Sequence, residues 1–181
     1  MNRTPLLIAL LAFVANMACA QQKGLTSGQN YSFTETKVMP KMNKTTVRKG
    51  TMRYDAPDNL TMDYSQPAGD YTHITSTTFD VCKSGKVQHF PVSNPKQRMT
   101  VFRATLLYCL GGEVANAAKL NNATMDESST PAARICTLTV EKAAPRDIAK
   151  MQLEYDLRTG ALLSLTITEG NGNYTTYAIS R

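Results

Sequence analysis

A strict two-residue alternation between large apolar and polar side chains runs from Gly50 to Pro67 and sets the fold class of the whole chain. Met52 and Tyr54 fall on one side, Thr51 and Arg53 on the other. After a break at Ala56, Leu60, Met62 and Tyr64 fall on one side, with Thr61 and Asp63 opposed. A period of two places each set on one face of a strand. The break contains Pro57, Asp58 and Asn59, which are turn residues: proline pre-sets φ, and Asp and Asn tolerate a tight backbone. The stretch therefore predicts an antiparallel hairpin with one apolar and one wet face. The apolar face carries Met, Leu and Tyr rather than Val and Ile. It is either a closed core or a surface for an apolar guest.

The same period recurs on both sides. Tyr31 to Met39, containing Phe33, predicts a first strand, followed by a turn at 41–44 and a strand from Thr45 into the hairpin. Asp70–Ser76, Thr78–Cys82 and Lys86–Phe90 predict three more. The period then changes. Ser93 or Asn94 suits an N-cap and Pro95 the first helical position. Met99, Phe102, Arg103, Leu106 and Leu110 follow helical spacing, and Gly111 and Gly112 stop the helix. Glu113–Leu120 predicts a second helical piece, and 121–131 a polar loop. Strands return with Cys136, Leu138 and Val140; with Met151, Leu153, Tyr155 and Leu157; and with Leu163, Leu165 and Ile167. Asn171 and Gly172 mark a hairpin, and Thr175, Tyr177 and Ile179 close the chain. The total is about ten antiparallel strands with a helical hairpin inserted between two halves, a mainly β fold with α. The long helix needs a partner for its broad apolar face, and the concave face of the sheet is the surface available.

Residues 1–20 read as a secretory signal peptide. One basic residue precedes an apolar run from Leu6 to Val14, and Ala18 and Ala20 form a small-residue cleavage site. The run is too short to cross a bilayer. Cys19 is an alternative lipidation site. Residues 21–181 are expected to form one exported domain, and 21–30 read as a flexible polar start. The full chain has 20 basic and 14 acidic residues; without Arg3 the balance is 19 against 14. That excess is spread along the chain, without the basic blocks and interleaved aromatics of a nucleic-acid surface, so no nucleic-acid partner is expected. Three cysteines remain, Cys82, Cys109 and Cys136, with no Cys-x-x-Cys spacing. Buried thiols are the default, and a Cys109–Cys136 bridge is an alternative.

Sites for chemistry are sparse. His73 and His89 lie in strand patterns without a Cys, Asp or Glu at metal-ligand spacing, so no metal is expected. A Cys82–His89 nucleophile pair has no flanking signature. There is no nucleophile elbow, phosphate loop or dinucleotide fingerprint. Asp55, Asp58 and Asp63 read as solvated strand and turn positions. No catalytic residue is assigned, and the chain is not expected to be an enzyme. What remains is the apolar face and seven methionines in residues 21–181, a side chain that adapts to varied apolar shapes.

The pattern Gly-x-Met-x-Tyr-x-x-Pro-Asp-x-Leu, from Gly50 to Leu60, resembles the signature of LolA, the periplasmic carrier of outer-membrane lipoproteins. The order of elements is similar too, from signal peptide through strands, hairpin and a helix between Pro95 and Gly112 to a close at Gly172, Asn173, Tyr174, Thr175, Thr176 and Tyr177. The likeness spans most of 31–180 and is nearest to the LolA-like proteins of Bacteroides-type bacteria. It implies an unclosed antiparallel β-barrel with a helical lid and a cavity for acyl chains. It also implies an acylated lipoprotein or lipid cargo, an inner-membrane transporter, an outer-membrane acceptor, a monomer and no cofactor. Two departures stand out. The family places an arginine before the hairpin proline, where it helps hold the lid; this chain has Ala56, and Arg53 lies on the opposite strand face. The amphipathic helix expected before the first strand is absent.

These readings predict a lipid cavity lined by Phe33, Met52, Tyr54, Leu60, Met62 and Tyr64 from the first half and by Met99, Phe102, Leu106 and Leu110 from the helix. Leu138, Leu153, Leu165 and Tyr177 complete it from the second half. Leu60 is expected to face that cavity, so that Leu60→Glu would spare the fold and abolish capture of cargo. Two other readings stand beside the carrier: a secreted β-sheet interaction or sensor module with no lipid, and a hydrolase using Cys82 or Cys109.

Overall fold

The alternation is realised in eleven strands of a single sheet, in a computed structural model that describes residues 23–181. Strands β1 (Asn30–Met39), β2 (Lys44–Asp55), β3 (Asn59–Gln66), β4 (Ala68–Ile74), β5 (Thr78–Lys83) and β6 (Lys86–Pro91) each pair antiparallel with the one before. In a second run, β7 (Thr124–Ser129), β8 (Ala133–Thr139), β9 (Ile148–Asp156), β10 (Leu162–Glu169) and β11 (Tyr174–Ser180) pair antiparallel in succession, starting with β7 against β8. Pairing of β1 with β11 joins the two halves, giving the order β6-β5-β4-β3-β2-β1-β11-β10-β9-β8-β7. Strands β6 and β7 do not pair with each other, so the sheet is not closed. Between them run helix α1 (Arg98–Gly111) and helix α2 (Val114–Asn121).

The predicted hairpin forms with Met52 opposite Met62 and Tyr54 opposite Leu60. Met52, Tyr54, Leu60 and Met62 are all at most 3% exposed, and the opposed Thr51, Arg53, Thr61 and Asp63 are not buried. Gly50 leaves no room for a side chain against β3: a Cβ there would sit 2.1 Å from the Asp63 carbonyl oxygen. Helix α1 covers the inner face with Leu106, Leu107, Cys109 and Leu110, which join the strand residues in one core. It ends where Gly112 turns left-handed at φ 82°, as the glycine pair predicts.

Several expectations are corrected. The long helix starts at Arg98, after a turn in which Gln97 N–H donates to Asn94 O, rather than at Pro95. The predicted polar loop contains β7, whose mostly exposed side chains carry no alternation and which forms by pairing with β8. Leu163 does not share a face with Leu165. A register shift between Leu162 and Ser164 turns Leu162 inward and leaves Leu163 36% exposed. Leu157 lies past the end of β9 and is likewise exposed. The start predicted to be flexible is docked: Leu25 is buried, its N–H donates to Leu110 O, and Gly24 lies against the Gly111–Gly112 backbone. Cys82, Cys109 and Cys136 are buried and no disulfide joins them. The signal peptide and Cys19 lie outside the described residues.

Candidate functional site

The inner face changes character along its strands. At the hairpin end, Phe33 on β1, Met52 and Tyr54 on β2 and Leu60 on β3 are buried in the core that Leu106, Leu107 and Leu110 of α1 join. Two residues further along β1 the inward position is Glu35, and the directly paired inward position of β2 is Arg48. Tyr177 is the partner of Glu35 on β11. Beyond them come Lys37, Met39, Thr46 and Lys44. The wall therefore passes from hydrocarbon, through a belt of ions and phenols, to a cationic rim.

The belt is tightly bonded. Arg48 Nη2 donates to both Glu35 oxygens, at 2.7 and 2.9 Å, and Arg48 Nε donates to Oε1 at 3.0 Å. The Tyr64 hydroxyl donates to Glu35 Oε2 at 2.5 Å. The Arg48 guanidinium also lies over the Tyr64 ring, 4.0 Å from its centre, a cation–π arrangement. Asp70, 4% exposed, accepts from Ser84 N–H and faces Arg48 Nη1 at 3.6 Å. Burial, and then the neighbouring Glu35 charge, push the Tyr64 hydroxyl well above the ordinary phenol range, and burial does the same for Tyr177. Both stay neutral donors at physiological pH. Such an ion pair is costly to desolvate, and removing one partner strands the other.

Above the belt lies a cavity of about 340 Å³. Phe102 and Leu106 of α1 close it on one side; Met62, Phe79, Val81, Ile148 and Ile167 form its apolar walls; Tyr64, Thr72 and Tyr177 belong to its floor. Its volume falls in the lower part of the roughly 300–1,000 Å³ range of ligand sites. Phe79 and Phe102 meet edge-to-face across it with ring centres 6.0 Å apart.

Of the fourteen residues predicted to line a lipid site, the structure gathers Met62, Tyr64, Phe102, Leu106 and Tyr177 around this cavity. Phe33, Met52, Tyr54, Leu60, Leu110, Leu138, Leu153 and Leu165 sit instead in the packed core. Met99 packs against that core, half-buried. Leu60 is fully buried there, so Leu60→Glu would bury an unpaired charge and damage the fold. Phe79, Val81, Ile148, Ile167 and the Glu35–Arg48 pair were missed. One signal for the pair was in the alternation: Glu35 is in phase with Phe33, and Arg48 is in phase with Met52 through Gly50.

The cover helix is held by a second arginine. Arg103, 8% exposed, donates from Nε to Thr75 O at 2.8 Å. Its Nη2 donates to Asp58 O at 3.2 Å and Asp58 Oδ1 at 3.1 Å. The helix thus carries the arginine and the hairpin supplies the acceptors, while Ala56 makes no side-chain latch. Arg53, the other candidate, pairs with Asp55 on the outer face.

Among the described residues no three His, Cys, Asp or Glu side chains converge as metal ligands. His73 and His89 each contact an aspartate, Asp63 at 2.9 Å and Asp80 at 3.0 Å, on exposed strand positions. Burial pushes the Cys109 thiol up to about 12, which keeps it protonated and a poor nucleophile.

No family profile matches the chain, and no curated protein matches it. Solved structures with a similar trace include a LolA superfamily protein from Nitrosomonas europaea, at 8% identity, covering 94% of this chain and 91% of that one with a TM-score of 0.42. The lipoprotein LppX of Mycobacterium tuberculosis is 11% identical over 95% of this chain and 93% of that one, with a TM-score of 0.41. An outer membrane lipoprotein-sorting protein domain from Vibrio parahaemolyticus is 10% identical over 93% and 89%, with a TM-score of 0.39. Likenesses this distant place no activity on the chain. The unclosed sheet under a helical cover stands on the strand order and register.

Proposed function

We propose that this protein is an exported, non-enzymatic carrier that shields acyl chains between the first turns of α1 and the inner wall of the sheet. The observation that carries the reading is the cavity of about 340 Å³ under Phe102 and Leu106, at the open end of an otherwise well-packed half-barrel. Each methylene buried there is worth about 0.8 kcal/mol, which is what keeps a fatty tail out of water. The cargo is the acyl part of a lipoprotein or a related lipid, received from an inner-membrane transporter and passed to an outer-membrane acceptor by a monomer working in the periplasm. A larger anchor requires α1 to move outward, since the hairpin end of the barrel is already filled.

The test is saturable binding of a fluorescent fatty-acyl probe and of an acylated peptide to delipidated protein, with Val81→Glu as the cavity variant. Val81 is half-buried at the cavity wall, so a carboxylate there reaches the cavity at little cost to the core. Binding that Val81→Glu weakens at least about tenfold supports the carrier. A folded wild type that takes up neither probe favours a secreted interaction module whose apolar face is only core.

A further inference from the structure

The cavity has a polarity that its apolar walls do not explain. Six cationic side chains line it, Lys37, Lys44, Arg48, Lys83, Arg98 and Arg146, against the carboxylates of Glu35 and Glu169. Arg48 is spent on Glu35, and Arg98 lies 3.6 Å from Asp147. Lys37, Lys44, Lys83 and Arg146 remain, and none of them has a carboxylate in an ion pair among the described residues. Lys37 is half-buried and the other three are exposed. They come from β1, β2, β5 and the segment before β9, so the cations surround the mouth rather than share one edge.

Like charges held around one opening repel, and an anion between them relieves that repulsion. The apolar walls lie deeper, on Phe79, Phe102, Leu106, Ile148 and Ile167. A neutral lipid would satisfy the walls and leave the rim unpaired. A small inorganic anion would satisfy the rim and leave the walls empty.

Resting on the carrier reading, we infer that the cargo class this cavity selects is an amphiphile with a single hydrocarbon tail and an anionic head, a carboxylate or a phosphate monoester. The tail lies under Phe102 and Leu106, and the head sits among Lys37, Lys44, Lys83 and Arg146. Tyr64 and the internally paired Glu35 add no net charge, and Glu169, whose Oε2 accepts from Asn171 and Asn173, is the one lining carboxylate outside an ion pair, set against four unpaired cations. The volume of about 340 Å³ suits one tail.

Calorimetric titration of delipidated protein with monomeric dodecyl phosphate, dodecyl maltoside and inorganic phosphate tests this. Dodecyl phosphate is expected to bind about tenfold tighter than dodecyl maltoside at low salt, with the gap closing as salt rises. In a folded Lys37→Gln/Lys44→Gln/Lys83→Gln variant the ratio falls to within about twofold. Equal affinities for the two amphiphiles in the wild type would overturn the anionic-head inference and leave the carrier standing. Binding of inorganic phosphate as tightly as dodecyl phosphate would overturn it in favour of a free-anion site. Binding of neither amphiphile would overturn the carrier reading itself.

Discussion

Arg103 on the cover helix reaches the hairpin turn at Asp58, Nη2 to Oδ1 at 3.1 Å, while its Nε is bonded to Thr75 O. This one side chain ties α1 to two separate turns of the first half of the sheet. It is also almost completely buried, so its donors have no water to fall back on. The arginine sits on the helix and its acceptors on the turns of the sheet.

Arg103→Met is therefore expected to cost about 1–3 kcal/mol, because Thr75 O and Asp58 lose a buried donor. It should also speed amide exchange across 98–121 more than in β1 or β11. Asp58→Asn removes charge from a half-exposed carboxylate and should cost under about 1 kcal/mol. Denaturant unfolding and hydrogen exchange read both effects.

The belt gives a sharper prediction. Glu35→Ala leaves Arg48 without its bonded carboxylate and should destabilise the protein by about 3–5 kcal/mol. Glu35→Met combined with Arg48→Met removes that pair but leaves buried Asp70 without the cation it faces at 3.6 Å, so it should recover only part of the loss, and adding Asp70→Asn should recover more. Chemical melts of the single and double variants give the coupling directly.

Which parts were legible follows from what alternation can and cannot report. Met52, Tyr54, Leu60 and Met62 share a face because strand geometry leaves no other arrangement. Glu35 and Arg48 obey the same rule, but a reading that sorts residues into apolar-inside and charged-outside discards them. The strand β7 had no period to find, since most of its residues are exposed and pairing with β8 creates it. Leu163 was misassigned because a one-residue register shift flips a face, and no turn residue announces it. Leu25 is a lone leucine in a polar segment, buried only because α1 ends beside it. The cavity itself was the least legible feature. Periodicity says which side chains face inward, whereas the gap depends on where α1 starts.

Alkaline pH should destabilise the protein in two stages. The Cys109 thiol is raised from 9.0 to about 12, and Tyr64 and Tyr177 are raised above 10.0. Each folded state holds its proton more tightly than the unfolded chain. Stability from these groups is thus complete below pH 9.0 and falls as pH rises from there, first through Cys109 and above pH 10.0 through the tyrosines as well. Each contributes at most about 1.4 kcal/mol per pH unit. Cys109→Ala should flatten the first part of the loss in urea melts taken across pH 8–11, and leave the second.

Gly111 lies against Tyr54: a Cβ there would sit 2.7 Å from the phenol oxygen. Gly111→Ala should destabilise by about 1–3 kcal/mol through overpacking. Adding Tyr54→Phe removes the nearest atom and should restore part of it. If Tyr54→Phe does not help, the end of α1 is not seated on the hairpin as described.

Photo-crosslinking locates the bound tail. Delipidated protein is irradiated with a diazirine-bearing fatty acid and the labelled peptides are mapped by mass spectrometry. Labels on Phe79, Val81, Phe102 and Ile148, suppressed by unlabelled fatty acid, are the predicted result. Labels confined to exposed apolar positions such as Val47 and Leu163, or no label that competes, would contradict a carrier whose cargo lies beneath α1.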